Sequence, residues 1–227
     1  MGSALSRAAW LRIAPFAVFI LILALRGVAP QDDSWGMDSR WLYAVQVVLV
    51  SGMLMMYWRE FGELFRQNWP GLRETLLALI VGLLVFYVWT LLDAPWMRLD
   101  GATTAAFRPV GPQGEVLWPL VAVRMAGAAL LVPVMEELFW RSFLMRWIER
   151  AQFETVDPRR VGLKAIVLST FVFTLAHTLW LAAIVAGLAY AWLYRHTGKL
   201  WVPIIAHAVT NGALGVWVVL TGNWAYW

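Results

Sequence analysis

Val132-Pro133-Val134-Met135-Glu136-Glu137-Leu138-Phe139-Trp140-Arg141 sets two adjacent carboxylates and an arginine inside an apolar run that continues on both sides, from Leu117 to about Ile148. Roughly 20 apolar residues suffice to cross a bilayer as a helix. The run is longer than that, and it predicts one membrane helix with Pro133 as a kink, emerging into cytoplasm near Arg146 to Arg150. Glu137 and Arg141 are four apart, so on a helix they share a face and pair; Glu136 points about 100° away and keeps its carboxylate available. A blander reading puts both glutamates at the wet end of a span, where they only neutralise nearby arginines. Two later segments tell against it.

Of 227 residues, 61% are hydrophobic and 14% charged, and the apolar residues come in blocks near membrane-spanning length. The implied fold is an all-α polytopic transmembrane bundle, a single integral-membrane domain over 1–227 with its chemistry in about 117–220. The net charge of +4 follows the loops between spans, as membrane orientation requires, and so argues against a nucleic-acid partner; the partner of the surface is the lipid bilayer. With no cysteine there is no thiolate nucleophile and no thiolate metal ligand, so hydrolytic chemistry must come from Ser, Asp, Glu or His. Tryptophans at span ends, among them Trp41, Trp58, Trp69, Trp96, Trp118 and Trp201, fit interfacial belts.

In chain order the first span covers Ile13 to Leu25 extended back to Ala8; Arg26 directly after it and Pro30 at the only candidate site argue against a cleaved signal peptide. Gln31 to Arg40 reads as a polar external loop, Trp41 to Trp58 as the second span and Thr75 to Leu92 as the third. Between these two, Arg59 to Glu74 carries Pro70-Gly71 as a turn and an amphipathic first part suited to the membrane surface. A Gly- and Pro-rich loop, Asp93 to Glu115, leads into the long fourth span, where Arg124 either snorkels to the outer interface or pairs in the bundle. The fifth span is Ala165 to about Thr178, the sixth Leu181 to Tyr194 and the seventh Leu200 to Leu220, with Gly198 as a helix C-cap between the last two. An amino terminus in the cytoplasm and a carboxy terminus outside leaves only Arg26, Arg40, Arg98 and Arg108 in external loops and the other loop cations inside, which supports seven spans. Splitting the fourth span, or dipping Glu60 to Trp69 into the bilayer, would make eight.

The fifth span holds His177 in Phe173-Thr174-Leu175-Ala176-His177, and the seventh holds His207 and Asn211 on one face, four apart. At about 1.5 Å per residue, Glu136 lies roughly 15 Å from Arg146, His177 roughly 20 Å from Lys164, and His207 and Asn211 roughly 12 and 18 Å from Lys199. These distances place all four at a similar depth on the cytoplasmic side. A lone buried histidine is usually a satisfied structural group, but four polar side chains at one depth each cost on the order of a few kcal/mol in hydrocarbon, which favours a site. His196, in a basic turn, reads as a solvated surface residue.

The pattern Glu136-Glu137 to Arg141, Phe173 to His177 and His207 to Asn211, on successive helices, resembles that of the CAAX prenyl protease and bacteriocin-processing (CPBP, or Abi) family of intramembrane proteases. It covers about Val132 to Asn211 and is similar to a bacterial subgroup linked to exosortase and exopolysaccharide systems. The resemblance implies an intramembrane peptidase of the bacterial inner membrane acting on a membrane-anchored protein or peptide. In this reading Glu136 is the general base for water, His177 holds and polarises that water, and His207 and Asn211 stabilise the oxyanion, with Glu137, Arg141 and Phe173 in support. The family has been described both as metal-independent glutamate proteases and as metalloproteases, and Glu136, His177 and His207 could ligate Zn2+ with an open position for water; both versions stay open. No His-Glu-x-x-His, Gly-x-Ser-Gly or Gly-x-Gly-Asp sequence offers another protease chemistry. Outside proteolysis, the same groups would suit a proton- or ion-coupled transporter, although the chain lacks matched inverted repeats, or an idle membrane scaffold or immunity protein.

Overall fold

The computed structural model describes residues 5–29, 38–99 and 106–227; most of the expected external loop Gln31 to Arg40, and 100–105 of the next, fall outside this. Among the described residues the fold is all-helical, with seven helices: α1 Arg7–Val28, α2 Leu42–Met56, α3 Leu72–Leu91, α4 Trp118–Glu149, α5 Leu163–Leu175, α6 Trp180–Thr197 and α7 Trp201–Thr221. Five of them (α1, α2 with its leading turn from Ser39, α3, α4 and α7) are long and apolar enough to cross a bilayer. Their outer faces are apolar: Leu76, Ile80, Leu83, Leu84 and Tyr87 of α3 are all exposed, the inside-out pattern of a helix solvated by lipid.

Local sequence sets the helix ends. Ser6 accepts a hydrogen bond from the Ala9 N–H at the start of α1, and Glu74 accepts one from the Gly71 N–H at the start of α3. Gly198 ends α6 at φ +72°, in the left-handed region its lack of a Cβ permits, as the sequence predicts.

The fourth span is a single helix, as the sequence predicts: Trp118–Glu149 runs unbroken for 32 residues and carries two π-helical stretches, Gly127–Leu131 and Leu138–Met145. Two other sequence expectations change. Glu60 to Trp69 is neither an eighth span nor a surface helix but a string of 3-10 turns with Phe61 and Leu64 buried. The cause is Arg12 of α1, whose guanidinium donates to both Glu63 carboxylate oxygens at 2.9 and 2.7 Å while Ser142 of α4 also donates to Glu63, pulling the segment inward. The fifth span ends earlier than expected. α5 stops at Leu175, and the turn after it is tied to the α3–α4 loop: Leu99 N–H donates to the Thr178 carbonyl at 2.9 Å and the Trp180 indole to the Trp96 carbonyl at 3.2 Å. Irregular backbone in a membrane protein needs such partners, and the loop supplies them.

α3 packs along α7, α5 along α6 and α1 along α2, with the middle of α4 against α1, α5 and α7. The α3–α7 contact is close because Gly82 has no side chain: a Cβ there would meet the Ala206 carbonyl at 2.5 Å and Val209 Cβ at 2.9 Å. Lys199 pairs with Glu74 at 2.7 Å at one end of this pair of helices, and the Tyr226 hydroxyl hydrogen-bonds Asp93 at the other.

Candidate active site

The first π stretch of α4 shapes the site. The Val132 N–H closes on the Gly127 carbonyl, five residues back. Pro133 has no N–H, so in that register the Ala128 carbonyl has no backbone donor. Asn211 of α7 fills the gap, its side-chain amide donating to Ala128 at 2.9 Å. The two glutamates follow one turn later, and the second π stretch begins immediately after Glu137. Such bulges re-aim side chains at functional sites.

Glu137 is fully buried and accepts through Oε1 from Arg141 Nη1 at 3.1 Å and from His207 Nδ1 at 3.0 Å. A carboxylate oxygen only accepts, so His207 is protonated at Nδ1 and turns Nε2 away from Glu137. Arg141 also donates to the Gly187 carbonyl at 3.3 Å and lies over the rings of Phe173 (4.7 Å) and Tyr190 (5.4 Å). His207 stacks on Tyr190 with ring centroids 5.0 Å apart. The Tyr190 hydroxyl donates to Thr210 Oγ1 at 2.7 Å, and Thr210 is within donor distance of the Gly82 and Ala206 carbonyls at 2.8 and 3.0 Å. Each charged or polar group in this layer thus orients the next, which is what makes a buried ion pair tolerable.

Glu136 is different. It is 8% exposed, its Oε2 is buried without a partner as Glu137 Oε2 also is, but unlike Glu137 it accepts no side-chain hydrogen bond at either oxygen among the described residues. It lines a cavity of about 720 Å³, counting the open mouth, whose wall also carries Phe173, His177, His207 and Asn211. The sequence-predicted base, both histidines, the amide and Phe173 therefore face one hollow, while Glu137 and Arg141 lie behind it. His177 sits just past the end of α5 rather than within a span, and its Nδ1 donates to the Phe173 carbonyl at 2.8 Å. Because a carbonyl only accepts, Nε2 of the neutral ring is left as an acceptor.

The cavity does not end at the level the sequence arithmetic suggested. It continues past His177 to Trp89 near the end of α3, Arg124 near the start of α4, and Tyr226 and Trp227 beyond α7. It therefore runs toward the end of the bundle that carries Asp93 and away from Lys199 and Arg146. The reason is the early stop of α5 at Leu175, which leaves the space above His177 to aromatic side chains. Sequence reasoning missed Ala128, Tyr190, Thr210, Gly82 and Trp89. Only Thr210, beside Asn211 in the His207 segment, carried any local signal.

Among the described residues no group of three or more His, Asp or Glu side chains gathers closely enough to hold a metal ion, Glu136, His177 and His207 included. The Nδ1 atoms of both histidines bond the Phe173 carbonyl and the Glu137 carboxylate, so a metal would meet these rings only through Nε2.

Residues 117–213 match the family described as type II CAAX prenyl endopeptidase, Rce1-like. No curated protein and no solved structure matches the chain.

Proposed function

From the match of residues 117–213 to the Rce1-like type II CAAX prenyl endopeptidases, we infer that this membrane protein hydrolyses a peptide bond of a membrane-anchored protein or peptide, with Glu136 activating the water. The observation that carries this reading is the Glu136 carboxylate itself: buried, free of hydrogen bonds among the described residues, and on the wall shared with His177, His207 and Asn211.

Water in the cavity gives a proton to Glu136 while its oxygen attacks the peptide carbonyl carbon. His177 Nε2 accepts the second water hydrogen and fixes the direction of attack. The carbonyl oxygen becomes an oxyanion, which accepts from the second Asn211 amide hydrogen and, when the ring carries a proton there, from His207 Nε2. Glu136 then returns the proton to the amide nitrogen, the C–N bond breaks, and a carboxylic acid and an amine leave. General-base assistance contributes about 10²- to 10⁴-fold and an oxyanion donor about 10²- to 10³-fold, so losing either is measurable. No step requires a metal.

With basic loops facing the cytoplasm of a bacterial inner membrane, the cavity mouth between Arg124 and Trp227 faces outward, so the substrate enters from the external side. The test is cleavage of membrane-anchored peptides by purified wild type, Glu136→Ala and His207→Ala, followed by mass spectrometry. Both variants lose product formation by at least about 100-fold. Variants that cut as well as wild type would refute these roles, and flux of an ion without peptide products would point to a carrier instead.

A further inference from the structure

Among the described residues Arg124 is the one charged side chain on the cavity wall that the hydrolytic reading leaves unused, and it forms no ion pair with any of them. Its guanidinium lies over the rings of Tyr43 (4.8 Å) and Phe107 (5.7 Å), and its Nε is buried with no acceptor among the described residues. Tyr43 is itself fixed beside it, with its hydroxyl donating to the Arg124 carbonyl at 3.5 Å. The same two rings carry Arg26 on α1, at 5.1 and 5.5 Å. Aromatic faces hold a guanidinium in place and leave its edge donors unspent. A cation kept this way within a bundle costs several kcal/mol unless something anionic meets it, and Arg124 lines the hollow that Glu136 lines.

We propose that Arg124 is a substrate-binding subsite that takes a carboxylate of the bound peptide, either a free C-terminal carboxylate or an Asp or Glu side chain. The proposal rests on the protease reading and adds a spacing to it. Arg124 and Glu136 are twelve residues apart on α4, about 18 Å along the axis. An extended peptide covers about 3.3 Å per residue, so the anchored carboxylate lies about five residues from the bond presented to Glu136. A lipid phosphate is the less suitable occupant, because the Arg124 Nε is buried and its guanidinium is held against the Tyr43 and Phe107 rings.

Binding can be separated from turnover. Full-length Glu136→Gln protein in phosphatidylcholine nanodiscs is titrated with fluorescent leucine–alanine peptides ending in a free carboxylate, in an amide, or in an amide with one internal Asp. The two carboxylate peptides bind at least about tenfold tighter than the plain amide, as a charge-assisted hydrogen bond implies. Arg124→Gln in the same background abolishes the difference and Arg124→Lys keeps part of it, with thermal unfolding confirming that each variant is folded. In wild type, amidation raises KM more than it lowers kcat, and mass spectrometry places the cut about five residues from the carboxylate.

Equal binding of acid and amide by the arginine-containing protein overturns the proposal without recourse to any Arg124 variant. So does a preference that survives Arg124→Gln, or one that appears only when phosphatidylglycerol is added, which would assign the site to lipid. A carboxylate preference that depends on Arg124 in a wild type that cuts no peptide would keep the subsite and discard the protease reading.

Discussion

The side-chain amide of Asn211 donates to the Ala128 carbonyl at 2.9 Å, and Pro133 is the residue whose missing N–H leaves that carbonyl without a backbone donor. Asn211→Ala therefore strands a carbonyl in the bundle at a cost of about 1–3 kcal/mol. Pro133→Ala restores an N–H in reach of it. The double variant is expected to unfold at a higher temperature than Asn211→Ala alone in detergent; strict additivity would show that the two residues do not share this carbonyl.

The two adjacent glutamates should part company in stability. Glu137→Gln leaves Arg141 buried beside a neutral partner and costs about 3–5 kcal/mol, seen as a large drop in melting temperature. Glu136→Gln removes a carboxylate with an unpaired buried oxygen and leaves the melting temperature unchanged or raised. Equal losses from the two would mean that Glu136 is structural.

Gly82→Ala tests the α3–α7 contact. The new methyl would lie 2.5 Å from the Ala206 carbonyl, so the helices must separate at a cost of about 1–3 kcal/mol, loosening the Thr210 hydroxyl that holds Tyr190 and, through it, the His207 ring. Activity falls along with the melting temperature; a fall in stability with full activity would uncouple this layer from the site.

Burial alone would raise the Glu63 carboxyl, but hydrogen bonds and charge from Arg12, with a further hydrogen bond from Ser142, outweigh it and hold Glu63 below its ordinary value of 4.5. Its folded pKa being the lower, the clamp's contribution to stability is fully present above about pH 4.5 and is lost as pH falls through the folded value. Thermal unfolding followed against pH should show a steeper acid limb in wild type than in Glu63→Gln. Parallel limbs would show that this carboxylate does not carry the acid sensitivity.

Much of this was legible in the sequence, and the limits are instructive. Spacing of four puts Glu137 with Arg141, and His207 with Asn211, on common faces whatever the tertiary packing, and apolar length marks the spans. Which residue of α7 meets which carbonyl of α4 depends on helix rotation and on two π stretches, neither of which has a residue pattern of its own. For the same reason Arg12 finding Glu63, and Arg124 settling on Tyr43 and Phe107, were invisible: each joins residues from different helices or loops by contacts that carry no spacing rule. The sequence places His177 within a span because Ala165 to Thr178 carries no acidic residue, lysine or arginine, and only the pairing of Leu99 with Thr178 reveals where the helix stops.

Because the donors do not gather around a metal position, cleavage by the purified protein should persist in excess chelator and gain nothing from added zinc. Loss on chelation with recovery by zinc would mean that the histidines rearrange around an ion.

The most direct test of the central claim is single-turnover cleavage of a membrane-anchored peptide by wild type and Glu136→Gln in water enriched in oxygen-18. Wild type should place one labelled oxygen in the new carboxyl group, and Glu136→Gln, still folded, should slow that incorporation by at least about 100-fold. Undiminished labelling by the glutamine variant would contradict the assignment of Glu136 as the group that activates water.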